Sequence, residues 1–100
     1  MTLRDAIARI QKLDPTASIY ASPLPGWSPA SRCAVIVEPV DGSLPASAAG
    51  LTFMLDVAVA KQVIRIWMRT RPGLEPSVDD LCEAVIYFAR FDAHQPALAV

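Results

Sequence analysis

Apolar residues change their spacing several times along the chain, and each change marks an element. Leu3, Ala6, Ile7, Ile10 and Leu13 recur at the three-and-four spacing of one helical face. Arg4, Asp5, Arg9 and Lys12 fall on or beside the wet side of that helix. Thr2 stands at its N-cap with Asp5 in the capping-box position. Asp14-Pro15 ends it, because a residue before proline is pushed out of the α region.

The spacing then predicts strands. Ser18 to Ala21 is a short one, followed by the irregular stretch SPLPGWSP at 22–29, where three prolines and a glycine forbid regular structure. Arg32 to Glu38 is a second strand. Its unbroken run Ala34, Val35, Ile36 and Val37 predicts burial on both faces or a central place in the sheet. Val40 to Gly50 reads as a loop with a turn at Asp41-Gly42. Leu51 to Val57 alternates, with Leu51, Phe53, Leu55 and Val57 on the face expected to be buried.

Two helices follow. One is expected from near Ala58 to Arg71, with Val59, Val63, Ile66, Trp67 and Thr70 on one face and Asp56 as an alternative N-cap. Pro72-Gly73 ends it. The last starts at Ser77, with Asp80 in the capping-box position and a stripe of Val78, Leu81, Cys82, Val85, Ile86 and Ala89. Strands followed by helices predict an α+β fold: a small three-stranded, mainly antiparallel sheet with one N-terminal and two C-terminal helices on one face. The expected core holds Ile7, Ile10, Val35, Val37, Phe53, Leu55, Val63, Trp67, Leu81 and Val85.

Composition narrows the class. One hundred residues fit a single domain over 1–100, with 92–100 as a loose tail. A chain 53% hydrophobic and 19% charged is unlike a disordered one. That much apolar content in so small a chain also favours a partner or a homodimer to cover part of it. A net charge of −1 supplies no field for nucleic acid, so none is expected as a partner. Charges within the first helix break any signal sequence, and the run Leu51 to Ala60 contains Asp56 and is too short to span a bilayer. The expectation is a cytoplasmic protein without a membrane partner. Cys33 and Cys82 fit no metal spacing and read as core thiols.

Candidate chemistry is sparse. His94 is the sole histidine, and nothing in the chain places a nucleophile beside it. The four glycines are scattered and form no phosphate loop, so neither catalysis nor a cofactor or metal is expected. Asp79, Asp80 and Glu83 cluster at the start of the last helix with Glu75 just before them. Acids there stabilise the helix dipole; they can also face a basic partner. Lys61, Arg65 and Arg69 recur on the middle helix, where cations suit a helix C-terminus or an anionic partner. Trp27, braced by Pro25, Gly26 and Pro29, reads either as an interface anchor or as a lid on the core.

The stretches FMLDVAVAKQVIRIW and PSVDDLCEAVIYFARFDAH carry a resemblance over about residues 53–94. A strand runs into a helix, then come a Pro-Ser helix start, Glu83-Ala84, the aromatic pair Tyr87 and Phe88, and Asp92-Ala93. This pattern resembles a family of small uncharacterised bacterial domains that look like the immunity and accessory proteins found beside toxins. The chain departs where that family places Asn and a second Tyr near the aromatic pair. The resemblance implies no catalytic residues. It implies a non-catalytic protein-binding domain that neutralises a cognate toxin by occlusion. The acid cluster and the proline-braced ring themselves make Asp79, Asp80, Glu83 and Trp27 the candidate partner-binding residues. A structural or regulatory homodimer is the alternative expectation.

Overall fold

A computed structural model of the chain describes residues 1–22, 26–37 and 48–95. Helix α1 spans Leu3–Ala8 and passes into a 3₁₀ turn at Ile10–Lys12. Strands β1, Ser18–Ala21, β2, Cys33–Ile36, and β3, Thr52–Asp56, form one sheet. Helices α2, Val57–Arg69, and α3, Val78–Phe91, complete an α+β fold.

Local chemistry sets the helix starts. The Thr2 hydroxyl accepts from the Asp5 amide at 3.2 Å, and the Asp5 carboxylate accepts from the Thr2 amide at 3.0 Å. Ser77 and Asp80 repeat this box at α3, with both bonds at 3.0 Å. Each pair satisfies amides that the first helical turn leaves unbonded. Asp56 is the N-cap residue of α2, as the sequence allowed, but its side chain makes no cap hydrogen bond and accepts instead from the Ser18 hydroxyl at 3.0 Å.

The strand order is β2-β1-β3, antiparallel throughout. The central strand is therefore β1, all four of whose residues are buried. Of the two readings of the run 34–37, the central place in the sheet is corrected and burial on both faces holds for Ala34 to Ile36. The second strand lies at an edge, and Val37 beyond it is exposed. An apolar run reports burial, and here the two faces of an edge strand are covered by different clusters. Cys33 faces the main core of Leu3, Ile7, Ile19, Val57, Cys82 and Val85 under the helices, with Val35 half-buried against it. Ala34 and Ile36 face a smaller cluster with Tyr20 and Ala48.

The third strand holds a second correction. Ile19 pairs with Leu55, but Tyr20 pairs with Phe53, so Met54 is an extra residue in the ladder. A bulge shifts the side-chain alternation by one position. Met54 and Leu55 are both buried, and Phe53 turns outward at 53% exposure. Gly50, at φ +77°, makes the turn that leads into this strand, a conformation glycine adopts without a Cβ clash. Trp67, Leu81 and Val35 pack against the core only half-buried, whereas Ile7, Ile10, Leu55, Val63 and Val85 are buried as expected.

The two sheet edges differ. The Cys33 amide donates to the Met1 carbonyl at 2.9 Å and the Leu3 amide to the Ser31 carbonyl at 2.8 Å. Met1 to Leu3 thus cover the start of the β2 edge. Among the described residues, no strand pairs with the outer edge of β3.

Candidate partner-binding surface

The helix-three acids are largely committed within the fold. Asp79 accepts from Arg4 twice, Nε to Oδ1 at 2.7 Å and Nη2 to Oδ2 at 3.2 Å. This ion pair, about half exposed on both sides, ties α1 to α3 and holds the Asp79 carboxyl below its ordinary pKa. Asp80 belongs to the capping box. Glu83 and Glu75 are exposed on the same end of the helix. Trp27 is half-buried against the main core, and its Nε1 is buried without an acceptor among the described residues. The Arg4 amide donates to the Pro29 carbonyl at 2.8 Å, so Arg4 links the loop after Trp27 to the start of α3. Nothing in the local pattern around Arg4 signals this, since its partner lies 75 residues away.

The basic stripe also divides. Lys61 donates to the Leu13 carbonyl at 2.9 Å, which closes the end of the first helical segment, while Arg65 and Arg69 are exposed. Arg71 lies over the Trp67 ring, 4.6 Å from its centroid, a cation–π contact. His94 packs against Phe88 with ring centroids 5.0 Å apart. Burial pushes the Cys33 thiol up to about 11 and the Cys82 thiol up to about 12, far from the range of a nucleophilic thiolate. Both cysteines are free. Among the described residues no three His, Cys, Asp or Glu side chains group to hold a metal, and no helix is long and apolar enough to cross a membrane.

Two cavities among the described residues bear on function. A small one of about 60 Å³ lies between α2 and α3, lined by Ile66, Trp67, Thr70, Ala84 and His94 among others. The larger, about 360 Å³, is a groove beside the open edge of β3. Phe53, Met54 and Leu55 form one wall, and Val59 of α2 with Phe88 and Ala89 of α3 form the other. Among the described residues, Asp56 and Asp92 are its charged lining residues. The sequence pattern did not point to this groove, because Phe53 reads as core until the bulge is known. The one local signal is the stretch Leu51 to Leu55, which has no charge and no proline, the residues that usually blunt an edge strand. The chain matches no protein-family profile, no curated protein and no solved structure.

Proposed function

We propose that this chain is a non-catalytic protein-binding domain that works by occlusion, as an immunity protein does against a cognate bacterial toxin, and that its partner docks along the outer edge of β3. One observation carries the reading: a strand edge, unpaired among the described residues and uncharged until Asp56 at its end, borders a mainly apolar groove. Left bare, such an edge recruits other strands. Met54 blunts it in part by its bulge, but no side chain of Leu51 to Leu55 brings a charge to it. A partner that covers the edge removes both the unpaired backbone groups and the exposed Phe53. Occlusion of a toxin inside the producing cell would place the chain in the cytoplasm, a reducing compartment that suits two free thiols.

The test is co-purification from native cells, identification of the partner, and titration of that partner with single variants. Phe53→Glu and Val59→Glu should each weaken binding by about tenfold or more while the far-ultraviolet spectrum stays native. Asp79→Asn tests the helix-three acids, and a partner that binds this variant like the parent chain docks away from them. If the partner binds both groove variants like the parent chain, the groove is not its docking site.

A further inference from the structure

Two features of the groove constrain what can fill it: a strand edge and a pair of carboxylates. Resting on the docking role proposed above, we infer that the occupant is an extended segment of another protein, carrying a lysine or arginine among apolar residues, which adds to the sheet beside β3. The backbone supplies the first part. A strand edge presents amides and carbonyls at the spacing of an extended chain, and a helix cannot satisfy them. The bulge at Met54 keeps the new ladder short, so apolar contact with Val59 and Phe88 has to supply much of the affinity.

The carboxylates supply the second part. Asp56 takes one hydrogen bond, from the Ser18 hydroxyl to Oδ1. Asp92 ends α3 in the left-handed region at φ 52°, and its carboxylate has no partner among the described residues. Among the described residues no lysine or arginine lines the groove, so the matching cation comes with the occupant. That charge pattern disfavours a second copy of this chain, which would bring another Asp56 and Asp92 to the same seam and no base.

The experiment titrates the full chain with a short capped peptide alternating leucine and lysine, read from backbone amide shifts. One control peptide carries glutamate for lysine, and another is N-methylated at alternate amides. The lysine peptide should shift residues 52–56 with Val59, Phe88 and Ala89, and bind about tenfold or more tightly than the glutamate peptide at low salt. N-methylation should abolish binding. Asp92→Asn, which breaks no internal bond, should reduce the preference for lysine, and Asp56→Asn with Asp92→Asn should remove it. Equal binding of the lysine and glutamate peptides overturns the inference, as does binding that survives N-methylation. A concentration-dependent mass that Phe53→Glu abolishes overturns it in favour of a second copy. Failure of the lysine peptide, with the native partner still sensitive to Phe53→Glu, overturns the strand inference and leaves the docking role standing. A native partner indifferent to every groove variant overturns both.

Discussion

Tyr20 and Phe53 meet edge to face across β1 and β3, with ring centroids 5.8 Å apart and planes at 79°. Met54, the extra residue of the bulge, places Phe53 opposite Tyr20 and leaves Leu55 opposite Ile19 in the core. The two neighbours on β3 should therefore respond differently to truncation. Leu55→Ala should cost about 2–5 kcal/mol, as buried leucines do. Phe53→Ala should cost only about 1 kcal/mol, the scale of an aromatic pair on a half-exposed surface. Urea unfolding of both variants measures this. A larger loss for Phe53 than for Leu55 would mean that the bulge is absent.

Arg4 and Asp79 set an acid dependence. Arg4 lowers the folded-state pKa of Asp79, while in the unfolded chain the carboxyl has its ordinary value. The contribution is present above the ordinary carboxylate range and is lost as pH falls through the lowered folded value. Asp5 and Asp14 add the same sign, because hydrogen bonds from Thr2 and Thr16 favour their charged forms. The gap in thermal midpoint between the parent chain and Arg4→Met should be small at neutral pH, since the pair is half-exposed, and should close as pH falls below the ordinary carboxylate range. A gap that widens on acidification contradicts the pairing.

Ser77 holds the start of a helix that packs on both other helices. Ser77→Ala should cost about 1 kcal/mol, and Ser77→Asp should restore most of it, because an aspartate accepts from the same amide. Denaturant midpoints of the three proteins decide the matter. Equal midpoints for the alanine variant and the parent would show that the box is not formed.

Cys33 and Cys82 report burial chemically. In the folded chain neither should react with a disulfide reagent near pH 8, and labelling should follow unfolding as denaturant is raised. The pH sign is opposite to that of the acids. Burial raises both thiols above their ordinary value, to about 11 and about 12, so the unfolded chain ionises first. Their contribution is complete below the ordinary thiol pKa and is lost as pH rises toward those values. Cys82→Ala should flatten that alkaline slope. Rapid labelling of either cysteine under native conditions would contradict their placement.

The sequence alone determined what depends on residues within a turn of one another. Thr2 with Asp5 and Ser77 with Asp80 announce two helix starts because a capping box closes over four consecutive residues. Periodicity located three strands and three helical segments, and with them the α+β class, because one repeated spacing decides which face is apolar. Strand order, the Met54 bulge and the Arg4–Asp79 pair were decided only by the tertiary structure. Each is a relation between distant segments, and an apolar run such as Ala34 to Val37 is equally consistent with a central strand and with an edge strand covered on two faces. The groove depends on several such relations at once. It exists because β3 is an edge, because the bulge turns Phe53 out, and because α2 and α3 set Val59 and Phe88 beside it, and no stretch of sequence holds that information locally.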